Sequence, residues 1–158
     1  MSIVKRAERQ HYMNTGSSLN PAWSQIGEGF TEFKESKNAV SYQRRYINET
    51  TKRTDVTGYA TSIDYECEIY TDSPVITKLR TISDKELTGD DAKVEIISVD
   101  MFDTPQSGAY SATKRSYSVI PDECGDGTDA LCYTGTMKAV GDVTAGKFNP
   151  TTGTFTSD

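Results

Sequence analysis

The chain has one histidine in 158 residues, at position 11, among charged neighbours. A Ser-His-Asp or Cys-His arrangement would have to recruit it from what reads as an N-terminal arm, so nucleophilic catalysis of that kind is not expected. The cysteines number three, and their spacing fits no metal-binding pattern. Cys67 reads as a small core residue. Cys124 and Cys132 flank a turn and can face each other across a hairpin; in a reducing compartment both are expected as thiols. No glycine loop ending in Lys-Ser or Lys-Thr is present to cradle a phosphate. No apolar run approaches the roughly 18–20 residues of a membrane span. Residues 1–14 are too polar for a signal peptide, so synthesis in the cytoplasm is the expectation. Positive charge is in deficit, with 17 Lys and Arg against 23 Asp and Glu. A net charge of −6 argues against general binding to nucleic acid, which Lys and Arg drive through phosphates.

What is present points to strands. Hydrophobic content is only 35% and mean hydropathy is −0.59, yet nine Tyr, five Phe and one Trp argue against disorder. Thr, Ser, Gly and Tyr are plentiful and Leu is scarce, which favours sheet over helix. The clearest pattern in the chain runs over residues 58–87. There Tyr59, Ile63, Tyr65, Cys67 and Ile69 alternate with Asp64, Glu66 and Glu68, the period of a strand with one buried face. Asp72-Ser73-Pro74 then reads as a helix start, and Val75, Ile76, Leu79 and Ile82 fall on one helical stripe.

Elsewhere, residues 1–20 lack periodicity and read as a flexible arm ahead of a single domain over residues 21–158. Strands are expected at residues 23–26, 31–33, 39–46, 59–70, 93–102, 109–120 and 131–140, with an acidic turn at residues 121–130. The expected fold is therefore mainly β: an antiparallel sandwich or partial barrel with one flanking helix over residues 74–84.

Two surfaces carry the candidate functional residues. Residues 46–57 are polar and longer than most connections, so they read as a projecting hairpin or a mobile loop. Around them, residues 34–53 hold Lys34, Lys37, Arg44, Arg45, Lys52 and Arg53 against Glu35 and Glu49, a local excess of four positive charges. Such asymmetry suits a surface that meets its opposite. The second surface is the acidic row Asp64, Glu66 and Glu68. Adjacent acids on one strand face lie about 6.6–7 Å apart, a spacing that glycoside chemistry can use. A solvated strand face explains the row with less, and no pocket of convergent polar groups is legible. We expect no enzyme activity and no cofactor. Asp122, Asp126 and Gly127 sit at positions one, five and six of a calcium loop, but Cys124 and Tyr133 occupy its third and twelfth. Calcium is therefore not expected. Asn48-Glu49-Thr50 matches a glycosylation sequon by chance.

Three features together resemble the major tail tube protein of tailed bacteriophages. One is Pro21-Ala22-Trp23-Ser24-Gln25-Ile26-Gly27-Glu28-Gly29-Phe30-Thr31-Glu32-Phe33. Another is Tyr46-Ile47-Asn48-Glu49, followed across a polar loop by Val56-Thr57-Gly58-Tyr59 and then Asp72-Ser73-Pro74-Val75. The third is Gly141-Asp142-Val143-Thr144-Ala145-Gly146-Lys147-Phe148-Asn149, closed by Thr152-Gly153-Thr154-Phe155-Thr156. The segment from Asp122 to Tyr133 departs from the family pattern.

The resemblance implies a β-sandwich with a flanking helix, similar to the inner tubes of contractile injection machines and the ring protein of type VI secretion. It implies hexameric rings that stack head to tail into a tail tube, a conduit for DNA within a virion tail. Ring stacking would use Arg44, Arg45, Tyr46, Ile47, Asn48, Glu49, Lys52 and Arg53. Asp64, Glu66 and Glu68 would either line the channel or face the tube exterior. The implied partners are further copies of the chain, with tape-measure, tail terminator and baseplate or tip proteins; no membrane is involved. Alternatives are the inner tube of a contractile tail or tailocin with a sheath, and a monomeric carbohydrate-binding β-sandwich using Tyr42, Tyr46, Tyr59 and Tyr110.

Overall fold

The computed structural model describes residues 1–125 and 128–158. Among the described residues it forms ten strands and one α-helix. In chain order these are β1 (Arg9–Asn14), β2 (Trp23–Ile26), β3 (Phe30–Ser36), β4 (Ala39–Arg44), β5 (Arg53–Tyr59), β6 (Ser62–Glu68), α1 (Pro74–Asp84), β7 (Lys93–Asp100), β8 (Tyr110–Gly125), β9 (Cys132–Asn149) and β10 (Thr154–Ser157). The main sheet runs β2-β1-β7-β8-β9-β6-β3, with β10 added to β9; β4 and β5 pair only with each other. The pairings are antiparallel, and the sheet curls into a half-barrel holding α1, the expected class of fold.

Alternation decides which face of each strand is dry. On β6, Ile63, Tyr65 and Cys67 are buried, whereas Asp64 is exposed and Glu66 and Glu68 are half-buried. The dry face joins Met13, Ile96, Tyr117, Val119 and Met137 into the main core, under the helix. Helix α1 begins where expected: Ser73 Oγ accepts from the Ile76 amide at 3.3 Å and Pro74 opens the first turn. Its stripe Val75, Ile76, Leu79 and Ile82 is buried, each side chain contributing about 1.5–3 kcal/mol. The helix ends in a Schellman turn. The Leu87 amide donates to the Ile82 carbonyl and the Glu86 amide to Ser83, with Glu86 left-handed at φ 49°. A smaller cluster of Ile97, Val99, Ala112 and Phe148 occupies the other side of the sheet with Trp23 and Phe155.

The structure corrects four expectations. First, the arm over residues 1–20 is not all arm. Residues 9–14 form β1, an inner strand between β2 and β7, with Met13 and His11 buried. Only three apolar or aromatic residues, His11, Tyr12 and Met13, lie there, too few to show a period. Second, the strand over residues 59–70 is broken. Tyr59 belongs to β5, and the chain crosses Ala60 and Thr61 before β6 begins. Third, β8 and β9 are longer than expected. β8 runs to Gly125, taking in half of the expected acidic turn, and β9 continues to Asn149 past a bulge opposite Arg115. Fourth, Cys124 and Cys132 do not face each other. Cys124 lies opposite Tyr133 and Gly125 opposite Cys132, so the two thiols leave opposite faces of the hairpin. Asp126 and Gly127, two residues of the calcium-loop pattern, lie outside the described residues.

Candidate assembly interface

Residues 44–53 of the basic segment form the tip of the β4–β5 hairpin, and residues 53–57, expected within a projecting loop, belong to β5. The hairpin leaves the main sheet after β3 and returns into β6, and neither of its strands pairs with anything else. An isolated two-stranded ribbon is marginal in water. Its side chains are nevertheless apolar at several positions: Val40, Tyr42, Tyr46, Ile47, Val56 and Tyr59 are all exposed. Six large exposed apolar side chains on one element are more than scattered surface residues.

The tip is organised by arginine. Arg44 sits at the end of β4, opposite Arg53 on β5 and two pairs beyond Tyr42–Asp55. Its Nη1 lies 2.5 Å from Asp55 Oδ2, and its Nε donates to Tyr46 Oη at 3.0 Å. Its guanidinium also lies 5.4 Å from the Tyr42 ring centroid and 5.7 Å from that of Tyr46. Arg53 covers the Tyr46 ring at 5.2 Å and donates from Nε to Glu49 at 3.0 Å. These contacts hold two like charges together by giving each a carboxylate and an aromatic face.

The pairing redistributes the basic charge. Lys37 is paired with Glu35, Arg44 with Asp55 and Arg53 with Glu49. Arg45 and Lys52 have no ion-pair partner among the described residues, and they flank the fully exposed Ile47 in the turn between β4 and β5. Tyr42 and Tyr46 each carry a guanidinium over one ring face, and Tyr110 is half-buried against Phe148.

The acidic row is on the wet face. Register places Lys34 opposite Asp64 and Glu32 opposite Glu66, and on the other side Thr136 opposite Asp64. Thr136 Oγ1 donates to Asp64 at 3.0 Å. Glu32 therefore joins Asp64, Glu66 and Glu68 in one acidic strip, a member the sequence reading missed. The alternation of Thr31, Glu32, Phe33 and Lys34 gave its face, but only register could give its neighbour. The strip lies on the outside of the curl. The inside is fixed by His11 of β1 and Phe33 of β3, whose rings approach to 4.7 Å across the open edge of the half-barrel.

His11 is a core residue. Arg6 donates to its Nε2 at 3.2 Å, which leaves the proton on Nδ1 for donation to Ser98 Oγ at 2.9 Å. Burial first, then the nearby Arg6 and Arg9, lower its pKa to about 3. In this tautomer the ring donates to the Ser98 hydroxyl, accepts from Arg6 and packs on Phe33. Among the described residues no group of three His, Cys, Asp or Glu is placed to hold a metal.

No protein-family model matches the chain, and no curated protein matches it in sequence. Solved structures do match. A chain from the cryo-EM structure of the anti-feeding prophage baseplate, six-fold symmetrised, aligns with a TM-score of 0.57 and 13% identity. The alignment covers 92% of this chain and 95% of that one. At that identity the likeness is one of fold: this half-barrel with its helix is an architecture found in a prophage baseplate.

Proposed function

We propose that this chain is a structural subunit of a phage-tail-like particle whose copies assemble as stacked, six-membered rings into the tail tube. The observation that carries the reading is the β4–β5 hairpin, which projects from the sheet with its apolar side chains bare. An element that is marginal alone and apolar outside is completed by another surface. Identical copies joined through unlike surfaces either close into a ring or continue as a filament. The fold likeness to a chain of a six-fold prophage baseplate supports a place in such a particle.

Within this reading the hairpin residues from Arg44 to Arg53 make the ring-to-ring contact. Asp64, Glu66 and Glu68, with Glu32, repel phosphates wherever they border the channel, so DNA passes without adhering. The partners are other copies, and at the tube ends tape-measure, tail terminator and baseplate or tip proteins. No catalysis and no cofactor is assigned. A second reading, an inner tube or baseplate ring enclosed by a sheath, is favoured by the baseplate origin of the structural neighbour.

Negative-stain microscopy of the purified protein at high concentration tests the proposal. Rings of about 6-fold symmetry or tubes are expected. A strictly monomeric protein at every concentration and salt condition would overturn it.

A further inference from the structure

The outer side of α1 carries an open groove of about 550 Å³, lined by Pro74, Thr77, Ile82 and Leu87 with Asp72 and Asp91. The buried stripe of the helix packs inward, but Pro74 is exposed, and Thr77 and Leu87 are half-buried beside the groove. Asp72 and Asp91 have no ion-pair partner among the described residues, whereas the neighbouring Asp90 is occupied by Lys93 at 2.9 Å. Lys78 also borders the groove, but its ammonium is turned to the Asn14 carbonyl at 2.8 Å. The result is an apolar slot with two uncompensated carboxylates.

We infer that this groove receives the β4–β5 hairpin tip of a second copy of the chain, with Ile47 in the slot and Arg45 and Lys52 against Asp72 and Asp91. The complementarity is in kind and in sign. The tip offers one fully exposed aliphatic side chain between two unpaired cations; the groove offers an apolar lining with two unpaired anions. Within one chain the hydrogen bonds and ion pairs of the tip side chains stay inside the hairpin, Arg44 to Tyr46 and Asp55, Arg53 to Glu49. Each copy carries one tip and one groove, so the contact is heterologous and propagates from copy to copy. Desolvating Ile47 supplies affinity, and the paired charges set register and exclude other orientations. The inference rests on the assembly proposed above and names the surface that the hairpin meets.

The test is photo-crosslinking with a charge-exchange control. Ile47→p-benzoylphenylalanine protein is mixed with isotope-labelled wild type, allowed to assemble, irradiated and digested. Cross-links between the probe and labelled peptides from residues 71–91 are expected. Cross-links confined to other peptides, in protein that has assembled, would overturn the groove while leaving ring stacking intact. Absence of assembly by the wild type would instead overturn the underlying reading. In parallel, Asp72→Lys with Asp91→Lys should raise the concentration needed for assembly by about tenfold or more, as should Arg45→Glu with Lys52→Glu. Combining all four should restore assembly toward the wild-type level. Circular dichroism and melting of each variant report whether the monomer is folded. Unchanged assembly by the folded groove variant would contradict the inference.

Discussion

The ring of Tyr65 on β6 lies across from Gly135 on β9 and fills the space that a side chain at position 135 would need. A Cβ built there would meet Tyr65 Oη at 2.6 Å and its ring carbons at 2.8 Å, and the ring, 2% exposed, has nowhere to move. Gly135→Ala should therefore destabilise the fold by about 1–3 kcal/mol, read as a shift in urea midpoint. Tyr65→Leu beside it should recover part of the loss. Additive effects of the two substitutions would show that the ring is not what excludes the methyl group.

His11 gives the chain a distinctive pH dependence, because it is the only imidazole present. Its folded pKa, about 3, lies below the ordinary 6.5 of an unfolded chain. The unfolded state therefore binds a proton that the folded state refuses. Stability should be complete above about pH 6.5 and fall as the pH drops toward 3. Between pH 6.5 and 5, before most carboxylates titrate, the loss should be about 2 kcal/mol. Urea unfolding of dilute protein checks this, with His11→Gln as the comparison. Gln can accept from Arg6 and donate to Ser98 but takes no proton, so its slope over that window should be nearly flat. Equal slopes in the two proteins would place the dependence elsewhere.

The end of α1 should be open to improvement. Glu86 is held left-handed at φ 49°, where glycine pays no steric penalty, and its side chain is exposed. Glu86→Gly should raise stability by about 0.5–1 kcal/mol, measured as an increase in Tm. A decrease would mean that the Glu86 side chain makes a contact worth more than the strain.

How much of this was legible in the residues depended on whether a segment's partner lies within its own chain. β6 and α1 were readable because their buried faces repeat at periods of two and 3.6, and Ser73-Pro74 marks the helix start. β1 was not: its His11–Met13 alternation is three residues long, between the charged Arg6–Arg9 stretch and a polar Gly/Ser run, too short to show a period. The hairpin read as a polar loop for a different reason. Arg53 to Tyr59 is exposed on nearly every residue, so no in/out pattern exists to be read until a second surface covers it. The acidic strip was three-quarters legible, since alternation gives a residue's face and only register gives Glu32 its place beside Glu66. The α1 groove was invisible, because it joins residues 71–82 to Leu87 and Asp91 through the turn that Glu86 makes.

The central claim is that copies of this chain join through the hairpin. It is tested most directly by sedimentation velocity of the wild type beside a variant in which residues 45–52 are replaced by Asn-Gly, a two-residue turn that closes β4 onto β5. The account predicts concentration-dependent species of ring size and larger for the wild type. It predicts that the folded variant stops at a single ring or below. Wild-type protein that sediments as a monomer throughout, or a variant that assembles as the wild type does, would contradict it.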